Sequence, residues 1–166
     1  EKKLKRKKFY SLKKKKIGED YKSKIKKILK VLELKKADYL FVSAPENVAW
    51  LMNIRGHDNP NSPIPNCRLL VGKNKELFLI AEERIASNII NEKKLKKTQV
   101  IDPKQFKNLI ERLSGGKFII DSLSCSILNK NIIQLNFDIV EETDPCYQLK
   151  AIKNPIEIRN TINAHI

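Results

Sequence analysis

Histidine is nearly absent from this chain: only His57 and His165 occur in 166 residues, and neither stands in an H-E-x-x-H or comparable ligand pair. A hydrolytic metal centre needs several Asp, Glu and His side chains converging on the ion, with a further acid or base beside it, and the chain does not supply that set. Cysteine is equally sparse. Cys67, Cys125 and Cys146 are odd in number, widely spaced and without a C-x-x-C pair, which excludes a disulfide framework and a zinc ribbon and fits three small thiols in a reducing cytoplasm. Glycine numbers five, and Gly115-Gly116 lacks the spacing of a phosphate cradle, so it reads as a helix stop. No apolar run approaches the ~20 residues of a membrane span, and no signal-peptide segment follows the basic amino-terminal run. We therefore expect a cytoplasmic chain with no membrane partner.

Positive charge, by contrast, is abundant. The net charge is +15, but residues 1–36 hold 17 Lys or Arg against 4 acids, leaving 17 against 15 in the rest. A nucleic-acid or anionic-surface reading thus rests on EKKLKRKKFYSLKKKK and the helix after it, with only Phe9 and Tyr10 as stacking residues. Lysine is a diffuse phosphate binder and no base-reading module is present, so a solvated tail or linker is preferred and no nucleic-acid partner is expected. The basic binding module is kept as the alternative.

With 41% hydrophobic residues the chain fits one domain able to bury roughly 70% of its unfolded surface. Helical spacing and short apolar runs alternate along it. Tyr21, Ile25, Ile28, Leu29 and Leu32 mark a first helix, Asp38–Ser43 a buried strand, and Pro45–Met52 a helical turn. Two runs, Cys67–Val71 and Glu76–Ile80, flank Gly72-Lys73-Asn74-Lys75 as a hairpin. Ile85, Ala86, Ile89 and Ile90 predict a second helix, and Gln99–Ile101 a strand. Phe106, Leu109, Ile110 and Leu113 form a third helical stripe after the Asp102-Pro103 cap. Phe118–Ile120 and Phe137–Glu141 read as strands, with a short helix expected over Ser122–Leu128 capped by Asp121 and Ser122. The pattern predicts an α/β fold: a three-layer mixed sheet with helices on both faces. At the end, Asn154 caps, Pro155 opens and Glu157 completes a capping box for a last helix. Residue 1 is Glu, and Ile158, Ile162 and Ile166 continue a helical spacing without a stop, so a chain that ends where another domain begins is expected.

The residues that read as chemistry lie in ENVAWLMNIRGHDNPNSPI, residues 46–64. An apolar run breaks at Gly56, which allows positive φ, into a polar loop in which Pro60, Pro63 and Pro65 restrict φ, with Arg55, His57, Asp58 and Asn59 as its candidates. Arg55 offers a fork of donors for a peptide carbonyl or carboxylate, with His57 and Asp58 lining the approach. Equally, Arg55 pairs with Asp58 to stiffen the loop while His57 faces water. Trp50, among Val48, Ala49 and Leu51, reads as core. Adjacent acids Glu82-Glu83 and Glu141-Glu142 point in different directions and are read as solvated charge. Ser124 and Cys125 have no histidine near in sequence and are not read as nucleophiles.

Glu46, Val48-Ala49-Trp50-Leu51, Asn53, Ile54, Arg55-Gly56-His57-Asp58 and Ser62-Pro63-Ile64 resemble the middle domain of three-domain Xaa-Pro aminopeptidases, with His57 in place of a small residue and Ser62 in place of Asn. QLKAIKNPIEIRNTINAHI, residues 148–166, is similar to the segment leading into that family's catalytic domain. The resemblance implies a creatinase/prolidase amino-terminal domain with a ribonuclease H-like motif. It implies residues 1–17 as a basic linker from a preceding domain, 18–150 as the creatinase-like middle domain, and 151–166 as the start of the catalytic domain. It further implies a non-catalytic part of a metallopeptidase that removes the first residue of peptides with proline second. Two divalent metal ions, commonly manganese, would lie in the absent domain, as would the contacts of a homodimer, while this part would pack on the catalytic domain and shape its peptide entrance. No catalytic or metal-binding residue is expected in the chain itself. Xaa-Pro dipeptidases carry a similar domain and form the second reading.

Overall fold

A computed structural model describes residues 7–166, so the first six residues of the basic run lie outside it. In chain order the elements are β1 (Tyr10–Ser11), α1 (Lys14–Ile17), α2 (Tyr21–Lys35), β2 (Tyr39–Val42), α3 (Pro45–Met52), β3 (Ile54–Arg55), β4 (Arg68–Gly72), β5 (Leu77–Ile80), α4 (Glu83–Lys93), β6 (Val100–Ile101), α5 (Phe106–Arg112), β7 (Lys117–Ile120), α6 (Ile127–Gln134), β8 (Asp138–Glu141), α7 (Pro145–Ala151) and α8 (Pro155–Ala164). Six strands form one mixed sheet in the order β6-β5-β4-β2-β7-β8, and β1 and β3 form a small antiparallel pair beside it.

The sheet is mixed because β2, β7 and β8 run parallel while β4 runs against β2, with β5 turned back by the expected hairpin. Every residue of β2 is buried because helices cover both faces. Leu40 and Val42 face Ile28 and Leu32 of α2, Val48 and Leu51 of α3, and Ile85 and Ile89 of α4. Tyr39 and Phe41 face the opposite core with Phe106, Leu109 and Ile110 of α5 and Ile133 of α6. There the Phe41 and Phe106 rings stack at 5.0 Å between centroids. Alternation along a pleated strand thus divides one apolar run between two cores, which is the three-layer architecture the pattern predicts.

Caps set the helix limits. The Asp20 side chain accepts from the Ser23 amide at 3.1 Å to start α2, and Lys36 at φ 51° stops it. Asn154 accepts from the Ile156 and Glu157 amides, and Glu157 returns a bond to the Asn154 amide, so α8 opens through the expected capping box. The helix ends at Ala164, short of Ile166.

One helix starts later than expected, and one was not foreseen. The helix expected over Ser122–Leu128 does not start at Ser122 but at Ile127. The Asp121 side chain accepts from Leu123 and its carbonyl from Ser124 and Cys125, closing a turn, and the helix begins only after Ser126, whose hydroxyl caps at Asn129. The helix α7 falls in the 148–166 segment and just before it, where none was anticipated; the Asp144 carboxylate caps it at the Cys146 amide, 2.8 Å. The segment expected to lead in from a preceding domain is packed from Phe9 onward. Phe9 is wholly buried, its amide donates to Ile85 O at 2.9 Å, and Tyr10–Ser11 pair with Ile54–Arg55. At Gly18, with φ +76°, a Cβ would stand 2.4 Å from Asn154 Oδ1, so the chain ends are drawn together where only glycine fits.

Candidate functional site

The loop after β3 hangs from the edge of the sheet at which β2 and β7 end and β4 begins. Val42 pairs with Leu69 and Phe41 with Ile120, so Ser43 and Asp121 leave their strands at the end where β4 begins with Arg68. In open α/β sheets such edges, beyond the carboxyl ends of parallel strands, are where ligands gather. Gly56 is needed for close approach rather than for positive φ: a Cβ there would stand 2.7 Å from Pro65 Cα and 3.2 Å from Phe9 Cδ1. Its amide donates to Pro63 O at 2.9 Å, folding the loop back on itself, and Asn59 and Ser62 bridge across its tip.

The four candidate residues part ways. Arg55 Nη1 donates to Ala49 O at 3.2 Å and Ile54 O at 2.8 Å, so the guanidinium closes the carboxyl end of α3 rather than pairing with Asp58. Half-burial lowers its pKa, opposed by the nearby Tyr10. His57 is exposed, its ring 5.4 Å from that of Tyr10. Asp58 Oδ2 accepts from the Asn66 amide at 2.7 Å, and Asn59 Oδ1 from the Asn61 amide at 3.0 Å. Asp58 and Asn59 share an open cavity of about 340 Å³ with Pro45, Glu46, Ile64 and Asn66. The structure therefore brings two of the four candidates together and adds Glu46, which was noted only as a motif residue.

Behind the cavity runs a buried polar network that the sequence did not disclose. Asn47, fully buried, donates to Asp144 Oδ2 at 2.7 Å and accepts from Lys150 Nζ at 2.6 Å. Tyr147 donates to Glu46 Oε1 at 3.3 Å, and Lys150 Nζ lies 4.5 Å from the Tyr147 ring centre. Burial raises the Asp144 carboxyl, and burial followed by the charges of Glu46, Asp121 and Asp144 raises the Tyr147 phenol. On the other side, Lys24 is 2% exposed and donates to Trp50 O and Asn53 Oδ1, both at 2.8 Å, with the Trp50 ring 4.2 Å away. Burial brings its pKa down to about 8. Trp50 packs on the core, as its apolar neighbours suggest. The one available signal for Lys24 was its position four residues before Ile28 on the buried stripe, where lysine is out of place.

The remaining chemistry-bearing residues behave as ordinary structure. Burial lifts the Cys125 thiol to about 11, opposite to the shift of an activated nucleophile. Glu83 pairs with Lys97, Glu141 with Lys130, and Glu142 with Lys35. Among the described residues no three His, Cys, Asp or Glu side chains group to hold a metal ion, so these residues do not fit a dinuclear centre.

With this geometry in view, comparison with known proteins gives a consistent result. The family model described as the creatinase/prolidase N-terminal domain matches residues 1–157. An Xaa-Pro aminopeptidase 1 from Dictyostelium discoideum is 30% identical over 154 residues, covering 90% of this chain and 24% of the relative. Among solved structures, an X-prolyl aminopeptidase from Caenorhabditis elegans, a cytosolic enzyme with a di-nuclear active site, superposes with a TM-score of 0.82 at 20% identity over 98% of this chain and 28% of that one. The N-terminal domain of the cytoplasmic peptidase PepQ from Mycobacterium tuberculosis superposes with a TM-score of 0.59 at 16% identity, covering 76% of this chain and 98% of that one. The chain thus spans about a quarter of the length of the aminopeptidases it matches.

Proposed function

Because the chain belongs to the creatinase/prolidase N-terminal domain family, we propose that it is the non-catalytic middle domain of a cytoplasmic Xaa-Pro aminopeptidase. The parent enzyme removes the first residue from peptides with proline second. Its two divalent metal ions, manganese in the reading advanced here, supply the activated water and are held by residues outside this chain. The intact enzyme is a homodimer joined through that same absent domain. Residues 1–17 lead in from a preceding domain and 151–166 lead out toward the peptidase domain. The observation that supports the reading is the placement of Asp58, Asn59 and Glu46 around one cavity on the carboxyl edge of the sheet.

In this reading the four loop residues shape the peptide entrance in two ways. Asp58 and Asn59 face the cavity, where a carboxylate and an amide can hold the amide groups or the amino terminus of a passing peptide. Arg55 and His57 act one step back. The arginine holds the turn between α3 and β3 through two carbonyls, and the imidazole rests against Tyr10.

The test compares the 166-residue chain with the parent polypeptide on an Xaa-Pro peptide in the presence of manganese. The parent is expected to turn over and the chain alone to be inactive, and hydrolysis by the chain alone overturns the assignment. In the parent, Asp58→Asn is expected to raise KM about fivefold with kcat unchanged, the size of one lost charge-assisted contact made equally in ground and transition states. Unchanged KM would reduce the loop to a spacer.

A further inference from the structure

The buried parts of the entrance loop are its two ends, Gly56 and Pro65, whereas His57, Asn59 and Asn61 between them are exposed. What lies against that neck comes from far away in sequence. A Cβ on Gly56 would meet both Pro65 and the Phe9 ring, so the neck and Phe9 are packed together without spare room. Phe9 opens a strap that runs along the root of the loop. Tyr10 and Ser11 pair with Arg55 and Ile54, and the Leu12 amide donates to Asn53 O at 3.0 Å, so the strap is matched residue by residue to the segment before Gly56. Its other side is fixed to α4. The Phe9 amide donates to Ile85 O at 2.9 Å and the Ser11 amide to Glu92 Oε2 at 3.2 Å.

Asn53 is the knot at which the strap meets the helices. It is 3% exposed at φ 54°, and its polar groups are all engaged. Oδ1 accepts from Lys24 Nζ at 2.8 Å, and Nδ2 donates to Glu19 O at 2.9 Å. The main-chain oxygen takes the Leu12 amide, and the main-chain amide donates to Trp50 O at 3.3 Å. Asparagine supplies a donor and an acceptor from one short side chain and tolerates left-handed backbone; aspartate would offer Glu19 O no donor, and glycine would offer neither group.

We propose that Phe9, Leu12 and Asn53 are positioning residues for the peptide entrance: without touching peptide themselves, they fix the neck of the loop and so set where Asp58 and Asn59 stand in the cavity. The proposal rests on the entrance reading given above. Once the strap is loosened, the loop samples positions in which the carboxylate and the amide miss the peptide. Binding then carries the added cost of ordering the loop, while the reacting groups, held outside this chain, keep their rate.

Hydrogen exchange in the 166-residue chain tests the hold on the neck. Phe9→Ala is expected to speed exchange of the Gly56 and Cys67 amides, bonded to Pro63 O and Pro65 O, about tenfold or more, and to leave the Asp38 and Lys73 amides at the opposite end of the sheet within about twofold. Phe9→Leu, which refills most of the space, is expected to restore most of the protection. Leu12→Pro deletes the one donor to Asn53 O, with Ser11 before it already extended in β1 and Leu12 in neither core, and is expected to act in the same direction; it decides the matter if Phe9→Ala does not fold. Equal acceleration at both ends of the sheet makes the strap ordinary core and overturns the proposal, as does no acceleration at either end.

Kinetics of the parent polypeptide on an Xaa-Pro peptide test the consequence. Leu12→Pro is expected to raise KM about threefold at unchanged kcat, and to add nothing once Asp58→Asn and Asn59→Ala have removed the groups it positions. A threefold effect that persists in that background, or a loss in kcat rather than KM, overturns the positioning role. KM unmoved by Asp58→Asn alone defeats the entrance reading itself, whereas KM raised by Asp58→Asn with Gly56 and Cys67 amides indifferent to the strap defeats only the inference.

Discussion

Replacing Asp38 by alanine should cost about 2 kcal/mol at pH 7, and the loss should fade as the solution is acidified. Asp38 stands directly before β2, its side chain 14% exposed. Oδ2 accepts from the amides of Gly116 at 2.7 Å and Lys117 at 2.9 Å, and Oδ1 meets the Lys73 ammonium. Its main chain adds two more ties, to Lys117 O at 2.9 Å and from the Lys73 amide at 2.8 Å. One residue therefore fastens the start of β2 to the start of β7 and to the β4–β5 turn. The Lys73 bond, then the two amides, hold the carboxyl down from 3.8 to about 2. A folded pKa below the unfolded one gives stability that is complete above the unfolded value and lost as pH falls through the folded one. A shift of nearly two units corresponds to about 2 kcal/mol, part of it screened because Lys73 is itself 56% exposed.

Urea unfolding of the 166-residue chain from pH 7 to about pH 2.5 measures this directly. The gap between wild type and Asp38→Ala should hold from pH 7 to about 5 and then shrink toward pH 2. Asp38→Asn, which keeps an acceptor for the amides but loses the charge, should fall between the two at pH 7. A gap independent of pH would refute the electrostatic account and leave only lost packing. No gap at all would refute the clamp.

Other substitutions probe the opposite chemistry. Burial depresses Lys24 to about 8, so in folded protein it sheds its proton before the unfolded chain does near 10.5, and stability from this group rises with pH between those values. Relative to Lys24→Met, wild type should therefore gain up to about 3 kcal/mol from pH 8 to 10 in urea titrations, and a flat difference would contradict a buried charged amine. Gly56→Ala forces a methyl to within 2.7 Å of the Pro65 backbone and should cost about 1–3 kcal/mol, read as a lowered Tm; an unchanged Tm would show that the loop yields freely.

The elements that were legible in the sequence are those whose period was reinforced by a cap and a stop. Helix α5 shows its apolar stripe, its Asp102-Pro103 cap and its Gly115-Gly116 stop together, and β2 announces itself as a short run too apolar for a half-exposed strand. Helix α6 failed on the same criteria. Its Ile127 and Leu128 face solvent and only Ile133 is buried, so no stripe marks it, and the Asp121-Ser122 pair before it offers a false cap. At the site, the sequence located the loop but not its wiring. Arg55 and Asp58 are three residues apart, which suggests an ion pair, yet the αL turn at Asn53 rotates the chain so that the guanidinium meets carbonyls at the end of α3. Glu46 and Tyr147 are about a hundred residues apart, and no local pattern foretells that they touch.

Two aspartates at opposite ends of the same sheet show how differently the edges are used. Asp38, before β2, has all its acceptor capacity met by Lys73, Gly116 and Lys117, and the structure around it is closed. Asp121, after the neighbouring parallel strand β7, is more deeply buried yet leaves Oδ2 without a hydrogen-bond partner among the described residues. The Asp121 edge is thus the less tightly closed of the two. It is also the edge that carries Asp58, Asn59 and Glu46. Substitutions at the Asp38 edge should therefore register in unfolding curves, whereas exposed positions at the other end, such as Asn59, should hardly move them.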